Sequence, residues 1–225
     1  MFDITLYGHL FNDTIYDGQL ETMALGGIAN CWKALNSIDS NLSVGLSPTA
    51  LSEANIYIER KHSKRSSIPS FNLEVFEPKI KPSKISHILY LNELPNLDFI
   101  ASLDGIISAD TCKGAEIKNP NLLQFIDYLF ISDEDGQDID FLRNNIKGHV
   151  ILHSSKGSKI LRKTDVFEFA VPEKWILNDV NVLGAGDFFA ASFLYAIHKG
   201  WTKEGAIQAA HCTTSDLIRK YNEEV

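Results

Sequence analysis

Cysteine is scarce in this chain and is not arranged in pairs. The 225 residues include three cysteines, Cys31, Cys112 and Cys212, which lie far apart in the sequence. An odd number of widely spaced cysteines argues against a disulfide framework and against a cysteine metal site, so we expect a reducing compartment. The sequence also has no long apolar run and no basic leader pattern at its start, which predicts neither a transmembrane helix nor a signal peptide. Together these absences predict a cytoplasmic protein.

Positive charge is also in short supply. The chain has 21 Lys and Arg residues against 29 Asp and Glu residues, which gives a net charge of −8. This balance argues against nucleic acid or an anionic membrane surface as a main partner. Hydrophobic residues make up 44 % of the chain, an ordinary share for a globular protein with a sizeable core. No repeat, low-complexity tract or linker is visible, and we therefore expect one domain over residues 1–225.

Short apolar segments alternate with helical patterns along most of the chain. The predicted buried strands are 4–7, 87–91, 105–109, 128–131 and 149–153, and the predicted helices are 28–35, 135–146, 187–199 and 203–220. This alternation predicts an α/β fold of three layers, with a mainly parallel central sheet and helices on both faces. Ligands of such sheets bind at the carboxyl ends of the strands. Two segments of alternating polarity, 54–59 and 73–76, predict a hairpin.

The segment Gly184-Ala185-Gly186-Asp187 stands directly before a helix-forming apolar run. The first N–H groups of a helix have no intrahelical acceptor, and glycines let an anion approach them closely. A carboxylate beside such a group of amides can take the proton of a hydroxyl that attacks a phosphate. These features favour phosphoryl transfer. The alternative interpretation is structural, because Asp is also common as a helix cap.

The apolar run that follows strengthens the first interpretation. The pattern of Gly184 to Asp187 with Phe189, Ala191 and Phe193 resembles the C-terminal signature of the ribokinase-like (PfkB) family of sugar and nucleoside kinases. A second similarity lies near the start of the chain, where the segments 8–13 and 26–30 look like that family's first strand and its glycine-rich sugar-site turn. The resemblance covers most of the chain and implies a shortened, partly degenerate member with a small β flap from about 45 to 78.

The resemblance also implies roles for particular residues. Asp187 would be the catalytic base and the amides of Gly184, Ala185 and Gly186 the anion hole. The acceptor, a small sugar, sugar phosphate or nucleoside with a hydroxymethyl group, would contact four residues, namely Asp13, Gly26, Gly27 and Asn30. The donor would be ATP with Mg²⁺. A homodimer through strands near 54–76 is a further expectation, because exposed alternating strands invite edge pairing.

Several positions depart from the family pattern. Ser132 and Asp135 stand where the family has the Asn and Glu that help to place Mg²⁺. Asp135 keeps the charge and would act through water, although an acidic helix start explains it equally well. Ser154 and Gly157 fall in a stretch that resembles the nucleotide turn, and Asn181 replaces a carboxylate.

Two functions of different classes therefore follow from the sequence. The first is an ATP-dependent kinase for a small hydroxylated molecule. The alternative is a non-catalytic relative that binds a sugar or nucleotide in a regulatory or assembly role, which the altered positions Ser132, Ser154 and Asn181 favour.

Overall fold

In the computed structural model, which describes residues 1–111 and 116–223, a ten-stranded sheet dominates the fold. The strands are β1 (Phe2–Asp17), β2 (Leu20–Gly27), β3 (Val44–Glu59), β4 (Lys64–Val75), β5 (Ser83–Ile88), β6 (Ile106–Asp110), β7 (Tyr128–Ser132), β8 (His149–His153), β9 (Gly157–Arg162) and β10 (Asp165–Ala170). The helices are α1 (Ile28–Ile38), α2 (Ile139–Asn145), α3 (Ala185–His198) and α4 (Lys203–Glu223).

The middle of the sheet is parallel, as the sequence predicted. The strands lie in the order β10-β9-β8-β7-β6-β5-β1-β3-β4, and β2 pairs with β1. All pairings from β3 through β1, β5, β6 and β7 to β8 are parallel. The outer pairings, β1 with β2, β3 with β4, β8 with β9 and β9 with β10, are antiparallel. The carboxyl ends of the parallel strands therefore share one edge, where a ligand site is expected.

Apolar side chains on both faces of the sheet form the core. On one face, strand residues such as Ile4, Ile85 and Phe130 pack against α1, α3 and α4. The opposite face is covered more thinly, by the seven-residue α2 and by short 3-10 segments around 91–103 and 120–124. Both faces of the sheet are thus buried, and the central strands are continuously apolar for this reason. In residues 1–111 and 116–223, the apolar stretches of the helices fall short of what a membrane crossing needs.

The first strand is four times as long as the sequence predicted. The expectation that it covers 4–7 and ends at Gly8 was wrong, because β1 continues to Asp17. The pairing with β3 shifts register between Gly8 and His9, so Gly8 bends the strand without ending it. Beyond this bend Phe11, Asp13 and Ile15 point to the buried face. Asp13 therefore lies within β1.

Two of the predicted helices near the C-terminus are confirmed. The helices predicted for 187–199 and 203–220 correspond to α3 and α4. The helix predicted for 135–146 is shorter, because Asp138 caps α2 by accepting a hydrogen bond from the Phe141 amide at 2.9 Å. Asp135 therefore lies outside the first turn of α2, which removes the helix-start explanation for its charge.

Strands β2, β1, β3 and β4 pair in this order and form a four-stranded part of the sheet, the flap. The turn between β3 and β4 is tied to the C-terminal helix by Arg60, which donates to both oxygens of Asp17 and to Asn222 Oδ1 at 2.8 Å. Asn222 in turn bonds both backbone polar groups of Asn181. The Ser63 hydroxyl accepts from the Val180 amide at 3.2 Å. These contacts hold the flap against the segment that leads into α3.

Candidate active site

The N-terminus of α3 is formed by a glycine turn at the shared edge of the sheet. Gly184 is the N-cap residue with φ 78°, a left-handed conformation that favours glycine. The Ala185 amide donates to Val182 O at 3.1 Å and so closes the turn. The amides of Gly186 and Asp187 follow in the first helical turn, where N–H groups have no intrahelical acceptor. A side chain at Gly186 would meet nothing closer than His153 Cε1, 3.8 Å from its Cβ.

Asp187 is held in place by the neighbouring helix and does not cap its own. Its Oδ2 accepts a hydrogen bond from Asn30 Nδ2 at 2.9 Å, and its carbonyl accepts from Cys31 Sγ at 3.3 Å. No side chain caps the start of α3. Burial raises the pKa of Asp187 to about 6, although the Asn30 hydrogen bond and the charge of Arg65 oppose this shift. The Asp187 side chain therefore does not cap the helix, which was the alternative interpretation of this residue.

Asp13, on the outer half of β1, is close enough to Asp187 for the two charges to interact. A Cβ at Gly26 would collide with Asp13 Oδ2, so glycine at this position leaves room for the carboxylate. Gly27 begins α1 with φ 61°, and a Cβ there would collide with the carbonyl of His9. Burial raises the pKa of Asp13 to about 6, and the charge of Asp187 adds to the shift. The predicted group of Asp13, Gly26, Gly27, Asn30 and Asp187 thus comes together at one place.

More carboxylates lie at the ends of the neighbouring strands. Asp110 ends β6 and accepts a hydrogen bond from the Tyr90 amide at 2.6 Å. Burial and the charges of Asp187 and Asp135 raise the pKa of Asp110 well above its ordinary value. Asp135 Oδ2 accepts from the Ser132 amide at 3.0 Å and from the Thr111 hydroxyl at 3.3 Å. The edge of the sheet therefore carries a chain of electrostatically coupled acids.

In the part of the chain that the structure describes, protein side chains alone do not form a complete coordination sphere for a divalent cation at this edge. Within the described residues, no three His, Cys, Asp or Glu side chains lie together as a metal-binding group. One oxygen of Asp135 is already occupied by two donors. Mg²⁺ commonly keeps several waters and binds through one or two carboxylates together with phosphate oxygens. Asp110 and Asp135, at the ends of neighbouring strands, fit such a site, in which phosphate oxygens and water supply the other ligands.

Comparison with known proteins gives matches in structure alone. No protein-family model and no curated protein matches the sequence. A pyrophosphate-dependent kinase in the ribokinase family, solved as a sulfate complex, is 16 % identical with a TM-score of 0.67, over 96 % of this chain and 95 % of that one. The chain has the ribokinase-like fold. The nucleoside kinase of Burkholderia thailandensis in complex with inosine is 14 % identical with a TM-score of 0.64, over 96 % of this chain and 90 % of that one. The adenosine kinase of Sinorhizobium meliloti is 13 % identical with a TM-score of 0.64, over 97 % of this chain and 94 % of that one.

The residues predicted for the nucleotide turn occupy a tight loop in this ribokinase-like fold. Ser154 and Gly157 lie where β8 turns into β9, and the Ser154 hydroxyl donates to the Gly157 carbonyl at 3.2 Å. A Cβ at Gly157 would collide with the Phe169 carbonyl, so the close approach of β10 accounts for this glycine. Asn181 is buried, and its side chain accepts from the Leu183 amide at 2.9 Å. The contacts of Ser154, Gly157 and Asn181 are thus internal ones.

One side chain next to the α3 N-terminus was not predicted as a site residue. The ring of His153 at the end of β8 stacks on Phe189, with centroids 4.8 Å apart. Burial lowers the pKa of His153 to about 4, and the neighbouring His211 adds to this shift. At neutral pH the imidazole is therefore uncharged. In the sequence, His153 is recognisable only as the last residue of a predicted strand. That position does not indicate that the start of α3 lies beside the His153 ring.

A cleft of about 230 Å³ opens beside Asp13 and Asn30. It runs along α1 past Lys33 and is closed on the other side by α4, from which Lys220 and Tyr221 reach it. Its apolar lining includes Ala24, Leu183, Phe188 and Leu217. Sequence reasoning missed this cleft because its walls come from β2, α1, the α3 turn and α4, and each wall residue looks ordinary within its own element.

Proposed function

We propose that the protein is an ATP-dependent phosphotransferase that acts on a hydroxymethyl group of a small sugar, sugar phosphate or nucleoside. One observation carries the proposal: the Asp187 carboxylate lies in the first turn of α3, bonded to Asn30, beside the accessible Gly186. In the proposed site, a base and an anion-binding helix start are therefore covalently adjacent. The structurally similar proteins that are nucleoside, adenosine and pyrophosphate-dependent kinases support the same class of reaction.

In the proposed reaction the acceptor hydroxyl lies between Asp13 and Asp187. Its proton passes to the Asp187 carboxylate while its oxygen forms a bond to the γ-phosphorus. The bond from that phosphorus to the bridging oxygen breaks, and ADP leaves. Amides at the start of α3, including that of Gly186, donate to the transferring phosphoryl group, where such donors act without reorganisation. When bound, Mg²⁺ neutralises part of the phosphate charge.

Arg65 supplies positive charge from the flap. It lies on β4, opposite Ile58 of β3, and its charge lowers the pKa of both Asp13 and Asp187. In the proposed reaction the same charge attracts the transferring phosphoryl group.

The direct test is an assay of phosphoryl transfer across a panel of sugars, sugar phosphates and nucleosides. ATP with Mg²⁺ is the expected donor, and pyrophosphate is assayed in parallel because one structurally similar kinase depends on it. Acceptor-dependent release of ADP supports the proposal. Binding of an acceptor without turnover by either donor supports the second candidate, a non-catalytic sugar or nucleotide binder. The internal hydrogen bonds of Asn181, at a position where the family pattern has a carboxylate, are the observation that favours this candidate.

We expect the reaction rate to fall in acid. The base must be ionised, and burial raises the pKa of Asp187 to about 6. The kcat measured from pH 5 to 9 should therefore drop tenfold per pH unit below about 6 and reach a plateau above 7. Asp13→Asn removes a neighbouring negative charge and should move the acid limb to lower pH, whereas the exposed Asp216→Asn should not. A flat profile down to pH 5 would exclude a buried carboxylate as the base.

A homodimer through the flap stays a prediction. The outer face of the flap exposes Met23 at 79 % and Ile68 at 62 %, and the rings of Tyr16 and Tyr57 stack there at 5.0 Å. Such apolar side chains on an open sheet favour association with a second copy. Light scattering at micromolar concentration should give twice 25.1 kDa, and Ile68→Glu should give the monomer mass. A wild-type monomer would contradict the prediction.

A further inference from the structure

The segment that leads into α3 has no regular secondary structure of its own. Residues 176–184 lie outside helices and strands, and Gly184 at their end is the N-cap of α3. The positions of the first α3 amides therefore depend on the shape of this segment. Because an irregular segment has no regular ladder of backbone hydrogen bonds, its polar groups need partners elsewhere in the molecule.

One side chain holds the backbone of Asn181 at both of its polar groups. Asn222 Oδ1 accepts a hydrogen bond from the Asn181 amide at 2.8 Å, and Asn222 Nδ2 donates to the Asn181 carbonyl at 2.9 Å. The buried side chain of Asn181 accepts from the Leu183 amide at 2.9 Å. The Ala185 amide then donates to Val182 O at 3.1 Å. A continuous set of contacts thus leads from α4 to the start of α3.

All four hydrogen-bonding positions of the Asn222 amide are occupied. An asparagine side chain has two N–H groups and two lone pairs on its oxygen. Besides the two bonds to Asn181, Nδ2 donates to the Ile218 carbonyl at 2.8 Å, and Oδ1 accepts from Arg60 Nη1 at 2.8 Å. The amide of Asn222 is therefore held by groups from α4, from the flap and from the segment before α3.

These partners also fix which way the Asn222 amide points. Asn181 N and Arg60 Nη1 are donors and need the oxygen, whereas the carbonyls of Asn181 and Ile218 need the nitrogen. Arg60 is itself held by Asp17, whose two oxygens accept from Nε at 3.0 and 2.9 Å. An ionised aspartate of the same shape has no hydrogen to donate, and a leucine has neither donors nor acceptors. Among side chains of this shape, the contacts therefore require asparagine.

We propose that Asn222 is a positioning residue that sets the shape of the turn 181–184 and thereby the direction of the first α3 amides. Asn222 acts through Asn181 and takes no part in the chemistry itself. What the amides bind, the transferring phosphoryl group, rests on the proposed function. With Asn222 in place, the turn is fixed by an amide, and Asn181 needs no carboxylate to fix it.

The first test is hydrogen exchange of the backbone amides without any ligand. In Asn222→Leu the amides of residues 181–187 should exchange about tenfold faster than in the wild type, because hydrogen bonds that hold the turn are lost. Amides of the central strands β6 and β7 should keep their protection. Asn222→Asp retains an acceptor for the Asn181 amide and for Arg60, and it should show a smaller increase confined to the same residues.

Arg219→Met is the matched control for this experiment. Arg219 also joins α4 to the chain before α3, because its Nη2 donates to the Lys174 carbonyl at 2.7 Å, but it makes this contact outside the turn. Its loss should leave exchange in 181–187 unchanged. A wild-type exchange pattern in both Asn222 variants would overturn the inference. So would a loss of protection throughout the chain in both, since Asn222 would then stabilise the whole fold. If Asn222→Leu alone fails to fold, Asn222→Asp decides by the same comparison.

The second test separates the two substrates kinetically. With ATP, Mg²⁺ and the best acceptor from the panel, Asn222→Asp should lower kcat/KM for ATP about tenfold, while KM for the acceptor stays within about twofold. Arg219→Met should change neither value. Equal losses for ATP and the acceptor would overturn the positioning role. If the wild type transfers phosphoryl groups from no donor, the kinase proposal fails, and hydrogen exchange still decides whether Asn222 sets the turn.

Discussion

Asp187→Asn is expected to lower turnover by about 10²–10⁴ while it makes the folded protein more stable at pH 8. The rate falls because the amide cannot accept the proton of the acceptor hydroxyl, and loss of a general base has this magnitude. Stability rises because burial raises the pKa of Asp187 from 3.8 to about 6, so the ionised carboxylate destabilises the native state at high pH. A shift of this size corresponds to at most about 3 kcal/mol.

The gain in stability of Asp187→Asn should depend on pH. A carboxyl group with a raised native pKa stabilises the fold below its unfolded pKa and loses that contribution as pH rises through 6. The gain in melting temperature of Asp187→Asn should therefore be present at pH 8 and vanish below about pH 4. Calorimetric melting and ADP release are the measurements, ATP binding should be largely retained, and the exposed Asp216→Asn is the matched control. A variant that keeps the wild-type rate would show that Asp187 is not the base. A fall in both ATP affinity and melting temperature would identify a structural role instead.

Gly186→Val is the second change with a large expected effect. A Cβ at this position meets no atom closer than His153 Cε1 at 3.8 Å, so the fold leaves room for a side chain, and a valine there should crowd an anion at the first α3 amides. ATP affinity should fall at least tenfold and kcat by about 10²–10³, the cost of losing one anion-hole donor. Acceptor affinity should change little, because Asp13, Gly26 and Asn30 lie on other elements.

Gly205→Val offers a matched control for this experiment. Gly205 also lies in the first turn of a helix, in α4, and a Cβ there makes ordinary contacts with Thr202 and Trp201 at 3.4 and 3.7 Å. Calorimetry with each ligand separately distinguishes the outcomes. Equal losses of ATP and acceptor affinity for Gly186→Val would indicate misfolding. Unchanged ATP affinity would mean that the helix start does not bind phosphate.

The sequence by itself determined the fold class and the centre of the candidate site. The parallel sheet followed from apolar strands that alternate with helices, because strands buried on both faces must be continuously apolar. Asp187 and the glycines before it are contiguous, so a local pattern was enough to predict a helix that starts with glycines and a carboxylate. The similarity of two separate motifs to one kinase family added Asp13 and Asn30, and the structure places both beside Asp187.

Tertiary structure decided what depends on elements that are distant in sequence. The extension of β1 to Asp17 was missed because its outer half is stabilised by pairing with β2 and β3, and not by a local apolar run. Lys33 and Lys220 border one cleft only because α1 and α4 lie side by side at this edge of the sheet. His153 likewise gains its place only when β8 ends next to α3. Charge and burial at such positions are set by packing between elements, and no pattern within one element records them.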